Sequence, residues 1–341
     1  MRRARLSKTV RALVGVMTVT VVSTFALAST SAVSAVGSEI FLNPGVIVAS
    51  PGRIWVGNNS GNSITEINSA NGDLVRKVTT RAEKSLRSNA MVVSGSHLWA
   101  TAKYSIGEFN LSDGSLVRVI DKTADEFNAP DEITVQGSHV WVLNSQTAPH
   151  LTELNESNGS LIKVVLVPNA HAFVVIGRHL WMANPLPASQ STITEAKTSD
   201  GSVVRTLKAP VLGLKTASAL VTSGNRLWVT SGNSNEIAEI NSETGKLIRR
   251  IKLPFAGLTA STTLIASGPH LFMSTFSVQG VVFEVNQSNG AVVRVFKTPA
   301  SQDYEGSSAI AVAGNTLWVG GRKIGVDEFD VTTGALIRNI K

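Results

Sequence analysis

The sequence predicts an all-β fold, a seven-bladed β-propeller with four antiparallel strands in each blade. Two markers recur seven times, at a spacing of roughly 44 residues. The first marker is an aromatic residue, found at Trp55, Trp99, Trp141, Trp181, Trp228, Phe272 and Trp318. The second is a glycine, found at Gly72, Gly114, Gly159, Gly201, Gly245, Gly290 and Gly334. Four short strands fit each repeat, and seven such units form a closed ring.

Each repeat contains four short segments rich in Val, Ile and Trp and separated by Gly, Asn and Ser, a composition that favours strands over helices. In the second repeat these segments cover residues 91–93, 97–101, 106–110 and 115–120. The first segment is apolar on both faces. We therefore expect the first strand of each blade to lie next to the central axis.

A repeated charge pattern surrounds each glycine marker. Six residues before the glycine stands Glu66, Glu108, Glu153, Glu195, Glu239, Glu284 or Glu328, and four residues after it stands Arg76, Arg118, Lys163, Arg205, Arg249, Arg294 or Arg338. This spacing predicts a cross-strand pair between the third and fourth strands. Because these are outer strands, we expect structural pairs at the rim of the ring, each contributing about 0.2–1 kcal/mol if exposed.

Four of the six histidines share a second repeated position, two residues before the aromatic marker. The seven residues there are Arg53, His97, His139, His179, Arg226, His270 and Thr316. A zinc ion needs ligands that converge at about 2 Å. Because these residues lie on successive blades, we expect them on solvated turns and assign no metal to them.

The N-terminal segment has the three parts of a secretory signal peptide, predicted over residues 1–35. Five basic residues and no acid precede or flank an apolar stretch from Ala12 to Ala28, and small residues follow. Cleavage after Ala28 or after Ala35 fits the pattern. The alternative is an uncleaved membrane anchor, since about 17 apolar residues are at the short limit for a span. Residues 36–44 are a short extension, and residues 45–341 form the predicted propeller.

Removing the leader changes the function classes that remain. Residues 36–341 hold 26 basic and 24 acidic residues, a near-balance that argues against a nucleic-acid partner. No later segment is long and apolar enough for a membrane span. The absence of cysteine excludes disulfides and thiolate metal sites. We expect a secreted, extracellular or envelope protein and a monomer.

The chain order also predicts how the ring closes. It begins with an innermost strand and finishes with an outermost one, so no blade combines strands from the two chain ends. Closure would then rely on packing between blades one and seven, unless residues 39–42 add to the last blade.

The repeat resembles the YVTN-type propeller repeat, on the residues RIWVGNNSGNSITEIN at 53–68 and NGDLVR at 71–76. The resemblance covers all seven repeats, with Trp where that family has Tyr. NHL propellers and streptogramin lyases are similar in pattern. It implies a propeller and no particular reaction. A weaker resemblance to pyrroloquinoline quinone propellers rests on Asn-x-x-x-Gly, but Leu, Val and Arg stand where those proteins have Trp after the glycine, so we expect no quinone cofactor.

One repeated position varies in chemistry from blade to blade, which is how an asymmetric site would be built on a regular ring. Ten residues before each aromatic marker stand Gly45, Asn89, Asp131, His171, Ser218, Thr262 and Ser308, at the entrance of the innermost strand. We call these seven residues the entrance ring. Asp131, Glu132 and His171 could form an acid/base pair or hold a hydrated cation. The alternative is that they only bind water in the channel mouth.

The loops on the same face vary in length and chemistry, and they add His150 and Tyr304 to the candidate ligand-binding residues Asn89, Asp131 and His171. The hypothesis we prefer is a non-catalytic binding module that takes a small molecule or an extracellular protein or polymer and needs no cofactor. The alternative is a lyase or lactonase-type hydrolase with a divalent cation such as Mg²⁺ or Ca²⁺ at the channel mouth and His171 or His150 as base. No local nucleophile, phosphate-loop or EF-hand motif is present.

Overall fold

The computed structural model shows seven four-stranded antiparallel sheets arranged in a ring, which confirms the predicted fold class. The structure describes residues 20–21, 40–79, 89–121, 127, 129–145, 149–167, 169–185, 188–232, 234–254, 261–275, 280–299, 307–321 and 325–341. The first strands of neighbouring blades contact one another, including those of blades seven and one. They therefore surround the axis, as the apolar first segments predict.

The strands of each blade follow one another in chain order from the axis to the rim. The innermost strands are Pro44–Ser50, Met91–Ser94, Pro130–Gln136, Ala172–Ile176, Ala217–Ser223, Ser261–Ser267 and Ser307–Ala313. The second strands are Arg53–Asn58, His97–Thr101, His139–Asn144, His179–Asn184, Arg226–Ser231, His270–Thr275 and Thr316–Gly321. The third strands are Ser63–Asn68, Ser105–Asn110, His150–Asn155, Thr192–Lys197, Glu236–Asn241, Val281–Asn286 and Gly325–Asp330. The outermost strands are Leu74–Thr79, Leu116–Asp121, Leu161–Leu166, Val203–Lys208, Leu247–Lys252, Val292–Lys297 and Leu336–Ile340.

Little else in the described chain is regular. Two short 3₁₀ helices cover Ala188–Gln190 and Ala209–Leu212, and no helix among the described residues is long and apolar enough to cross a membrane. A two-residue strand, Thr20–Val21, pairs with the innermost strand of blade six. This short strand lies within the predicted signal peptide, and without it the sheet of blade six has four strands, as the other blades do.

The aromatic markers fill the spaces between blades. Trp141 packs in one cluster with Phe173 and Leu180 of blade four. Trp318 of blade seven packs in the same way with Ile47 and Ile54 of blade one. Five of the six tryptophans are less than 2% exposed. Large flat side chains supply the apolar area that holds neighbouring sheets together.

The seven glutamates are paired across the third and fourth strands as predicted. Glu66 lies opposite Arg76, and the same register recurs in every blade. The spacing left the exposure of these pairs open, and the structure shows that the acid is buried, since every one of these glutamates is at most 4% exposed. Burial raises the pKa of Glu66, and the charges of Arg76 and Arg53 oppose that rise. These are buried carboxylates, so their partners are needed to balance the loss of hydration.

The second repeated position supplies those additional partners, which corrects the expectation of solvated turns. His139 Nδ1 lies 2.7 Å from Glu153 Oε1, and Lys163 Nζ lies 3.0 Å from Oε2 of the same carboxylate. His97, His179 and His270, together with Arg53 and Arg226, contact the glutamate of their own blade in the same way. Thr316 instead accepts a hydrogen bond from Trp318 Nε1 at 2.8 Å. The glutamate lies directly opposite the aromatic marker on the neighbouring strand. The histidine or arginine two residues before the marker is on the same face of its strand, so it reaches the glutamate diagonally.

The basic residue of each pair also reaches the next blade. Arg118 donates from Nη2 to the carbonyl oxygen of Ser157 at 2.9 Å, and Arg205 does so to Glu243 at 3.0 Å. The accepting carbonyls belong to the turn that holds the glycine marker. A Cβ on Gly114 would lie 2.9 Å from Arg76 Cδ, and Gly114 has a φ of +69°. The glycine therefore allows both the turn conformation and the close approach of the neighbouring arginine.

The same contact closes the ring. Arg338 of the last strand donates from Nη2 to the carbonyl oxygen of Ala70 in blade one at 3.3 Å. Residues 40–43 bond instead to blade one itself, where Thr65 Oγ1 donates to the Ile40 carbonyl and the Leu42 amide donates to Asn58 Oδ1. Apart from the Thr20–Val21 pair in blade six, each sheet of the described chain thus holds only its own four consecutive strands, as the chain order predicts.

Candidate functional site at the channel mouth

The entrance ring coincides with irregularities in the innermost strands. In blade three, Pro130 pairs with Asn144 and Glu132 with Leu143, so the register shifts at Asp131, which is the extra residue of a bulge. The same register shift includes Gly45, Ser218, Thr262 and Ser308 in their blades. Asn89 and His171 lie just before the innermost strands of blades two and four. A β-bulge redirects side chains, and here it does so at one end of the channel.

Three blades bring polar side chains together around Asp131. Asn89 Nδ2 of blade two donates to Asp131 Oδ1 at 3.5 Å, and Ser145 Oγ donates to Asp131 Oδ2. Asp131 is 7% exposed. Sequence reasoning missed Ser145. It directly follows Asn144, which pairs with Pro130, so its nearness to the bulge depends on a register that the sequence does not show.

Glu132 lies below this group, between blades three and four. Its Oε2 accepts a hydrogen bond from the Phe173 amide of blade four at 2.8 Å. Its Oε1 has no hydrogen-bond partner in the described part of the chain, and the residue is 2% exposed. The equivalent residues in the other blades are Val46, Ala90, Ala172, Ala219, Thr263 and Ala309. Burial raises the pKa of Glu132 well above its usual range, the Phe173 N–H opposes that shift, and Asp131 adds to it.

His171 faces Asp131 from the next blade. Burial lowers the pKa of His171, and the negative charge of Asp131 acts in the opposite direction. Its backbone amide donates to the Ala183 carbonyl at 3.0 Å, which fixes the start of the strand. A neutral imidazole next to a carboxylate can both accept and donate a hydrogen bond.

His150 lies at the same end of blade three but further from the axis. In the third strand of blade three, His150 pairs with Asn144 of the second strand. Asn144 in turn pairs with Pro130 of the innermost strand, next to Asp131. Two strand spacings, about 10 Å, separate the backbones at Pro130 and His150. His150 is 6% exposed. Tyr304, the fifth candidate residue, lies outside the described residues.

Blade one contributes a group that the sequence pattern did not reveal. A Cβ on Gly45 would lie 2.0 Å from Asn59 Nδ2, so the side chain of Asn59 fills the space that belongs to the entrance-ring residue elsewhere. Its Oδ1 is buried and has no hydrogen-bond partner among the described residues. The glycine at this ring position was the available signal, since it leaves room for a neighbour.

The hypothesis of a divalent cation at the channel mouth requires several side chains that can coordinate it. In the part of the chain that the structure describes, no group of three or more His, Asp and Glu side chains could hold a metal ion. Asp131, Glu132 and His171 are thus neighbours without forming such a group.

The family comparison decides which of the resemblances applies. A family described as outer membrane protein assembly factor BamB matches residues 171–341. The chain belongs to this family. The match carries the pyrroloquinoline-quinone type of repeat, the weaker of the two sequence resemblances, whereas a YVTN- or NHL-specific repeat remains a resemblance. No curated protein is significantly similar to the chain in sequence.

Solved structures similar to this member of the BamB family share its fold at low identity. A streptogramin B lyase is similar with a TM-score of 0.68 and 16% identity, over 84% of this chain and 92% of that one. Virginiamycin B lyase from Staphylococcus aureus gives a TM-score of 0.64 and 17% identity over 82% and 92%. BamB from Moraxella catarrhalis gives a TM-score of 0.54 and 13% identity over 82% of each. Such likeness establishes the propeller and leaves the activity to the site.

Proposed function

We propose that this protein is an exported β-propeller of the cell envelope that acts as a non-catalytic binding module, with its ligand at the channel mouth. The observation that supports it most directly is the convergence of Asn89, Asp131 and His171 from three blades onto one point near the axis. Concave sites with a few convergent polar groups are typical of ligand binding. The signal peptide predicted at residues 1–35 and the family's description as an outer membrane protein assembly factor both support a location in the envelope.

The lyase alternative has less support at this site. That alternative needs a set of side chains that can hold a divalent cation, and no such set is found among the described residues. The streptogramin and virginiamycin lyases share the fold with this chain at 16% and 17% identity, which carries no residue of their chemistry across. We therefore retain binding as the proposed role.

A comparison of two faces tests the proposal. The first variant combines Asn89→Ala, Asp131→Ala and His171→Ala at the channel mouth, and we call it the top-face variant. A suitable control combines Glu243→Ala and Lys246→Ala, both on a turn at the opposite face. The repeated histidines are unsuitable controls, because they contact buried glutamates.

The assay is a thermal-shift screen of a small-molecule and glycan collection against the wild type and both variants. We expect ligands that stabilise the wild type and the control but not the top-face variant, because only native-state binding raises the melting temperature. Hits that survive in the top-face variant and disappear in the control would place binding on the other face and refute the proposal. Fusing residues 1–40 to alkaline phosphatase tests export separately, and an inactive fusion would contradict the envelope location.

A further inference from the structure

We infer that the outer edge of blade three pairs with the same edge of a second copy of this chain, so that two propellers share one continuous sheet. The edge is the outermost strand Leu161–Leu166, which in the described chain pairs only with the third strand of its own blade. Three observations point to a second copy: the charge pattern of the seven edges, the direction of the backbone groups, and the symmetry of the exposed side chains. The contact lies at the side of the ring, apart from the channel mouth, and replaces the monomer expected from the sequence by a weak dimer.

The charge pattern sets blade three apart from the other six. Edge strands that are open to solvent usually carry charged residues, because a charge discourages another chain from adding to the sheet. Along the outer edge of each blade, the third, fifth and seventh residues after the glycine marker form one row, which we call the outward row. In six blades this row contains at least one charged residue, namely Lys77, Asp121, Lys208, Arg250 with Lys252, Lys297 and Lys341. In blade three the row is Ile162, Val164 and Leu166, and it has no charge.

The outward row of blade three is open to solvent. Ile162 is 43% exposed, Val164 39% and Leu166 74%. Lys163 on the same strand does not protect this row, because its ammonium group lies 3.0 Å from Glu153 Oε2 and donates to the Ser199 carbonyl of blade four at 3.2 Å. Large apolar side chains exposed together are typical of an interaction surface.

The backbone of this strand directs hydrogen-bonding groups outward. Val167 donates to the Pro149 carbonyl at 3.1 Å, so its amide points toward the third strand. Residues of an antiparallel strand alternate between pairs that exchange hydrogen bonds and pairs that do not. Val165 therefore also bonds inward, and Val164 and Leu166 direct their N–H and C=O groups to the side where the described sheet ends.

The outward row matches itself when two copies pair antiparallel about a two-fold axis at Val164. Val164 then lies opposite its own copy and Ile162 lies opposite the copy of Leu166, so that apolar side chains meet apolar side chains. The same pairing at blade one or blade five would place Lys77 or Arg250 opposite a like charge, which is destabilising. The edge of blade three is thus the one at which a second copy meets no charge in the outward row.

One strand pair makes a small contact. Stable interfaces engage about 20–30 residues a side, whereas the strand Leu161–Leu166 has 6 residues. We therefore expect a dimer that forms only as the protein concentration rises. Because the channel mouth lies at one end of the ring and the edge lies at the rim, dimer formation and ligand binding should be independent.

Sedimentation velocity of the mature chain over a series of concentrations tests the inference. Val164→Lys gives blade three the residue that blade one has at the same row position, Lys77. The matched control is Thr206→Lys, at the same row position of blade four. Both positions are exposed, so both variants should fold and their melting temperatures should stay close to that of the wild type. The top-face variant is a second control, because its substitutions lie at the channel mouth.

We expect the wild type, Thr206→Lys and the top-face variant to dimerise alike. In Val164→Lys the dimer affinity should fall by about tenfold or more, because two like charges would lie opposite each other.

The absence of cysteine allows a direct test of the register. Opposite residues of an antiparallel pair have Cα atoms about 4.5–5.5 Å apart, which is within the range of a disulfide. Val164→Cys should therefore give a disulfide-linked dimer under mild oxidation, and Thr206→Cys should not.

A wild type that stays monomeric at every concentration would overturn the inference and leave this edge to a strand of another protein. A dimer that both lysine variants weaken equally, or that neither weakens, would place the contact elsewhere on the molecule. Association beyond a dimer would contradict a closed two-fold pair. Equal cross-linking of the two cysteine variants would refute the register and with it the pairing of the two edges.

Discussion

Replacing Gly72 by alanine tests whether the ring is closed by the contact between its last and first blades. Gly72 has a φ of +78°, and a Cβ there would lie 2.8 Å from Arg338 Cδ and 3.0 Å from Ile340 Cδ1 of blade seven. The substitution therefore combines backbone strain with an overpacked interface. Two other glycines separate these effects.

Gly52 is the control for strain. Its φ is +72°, and a Cβ there would meet nothing within 4 Å. Gly52→Ala should lose about 1–2 kcal/mol, the cost of placing an L-residue in the left-handed region. Gly72→Ala carries the same strain and also displaces Arg338, so we expect a further loss of about 1–3 kcal/mol.

Gly114 is the control for an interface within the chain. Its Cβ would lie 2.9 Å from Arg76 Cδ and 3.0 Å from Val78 Cγ2, nearly the same surroundings. If the closing interface is equivalent to the others, Gly72→Ala and Gly114→Ala should be destabilised equally. Scanning calorimetry measures the difference, since about 1 kcal/mol corresponds to about 2 °C in a domain of this size. A melting temperature of Gly72→Ala equal to that of Gly52→Ala would show that Arg338 does not pack on blade one in solution.

Three further predictions concern the core, the buried acid and the metal alternative. Trp228→Ala should lose about 3–5 kcal/mol in urea unfolding because it empties the space between blades five and six, whereas Val211→Ala, at a site 78% exposed, should change stability by less than about 0.5 kcal/mol. Glu132→Gln should gain stability relative to the wild type as pH rises from 4 to 8. Burial raises the pKa of Glu132 in the folded chain, so the wild type is most stable below the unfolded pKa of about 4.3, where the carboxyl is protonated in both states, and it loses stability as the buried group is deprotonated at higher pH. A difference in unfolding free energy that does not change with pH would contradict this. EDTA, followed by excess Mg²⁺ or Ca²⁺, should leave the melting temperature of the mature chain unchanged, and a shift abolished by Asp131→Ala with His171→Ala would favour the lyase alternative.

The fold was predictable because its signals repeat. In blade two the sequence predicted a second strand over 97–101, and the structure has His97–Thr101; the third strand begins one residue earlier than predicted and the fourth one residue later. The pairing of Glu108 with Arg118 was predictable from spacing alone. The burial of Glu108 and its contact with His97 were not predictable. Both depend on the register between the second and third strands, which places Trp99 opposite Glu108.

The candidate site was predictable only as a set of positions. The sequence predicted that the varying residues Asn89, Asp131 and His171 lie together at one end of the channel, and the contact between Asn89 and Asp131 agrees with that placement. That a ligand binds at this end stays a prediction. Ser145 and Asn59 could not be found, because each depends on a local irregularity that no repeat marks. A bulge adds one residue to one strand, and nothing in the composition of that strand specifies which residue is extra.

Each blade of the described propeller is built from four consecutive strands, apart from the added pair with Thr20–Val21, so a blade can form as soon as its own residues are available. The face of blade one that carries Ile47 and Ile54 nevertheless has to wait for Trp318 of the seventh blade. During that interval the propeller is an open arc whose first blade exposes an apolar face, so its risk of aggregation depends on the time taken to complete the seventh blade.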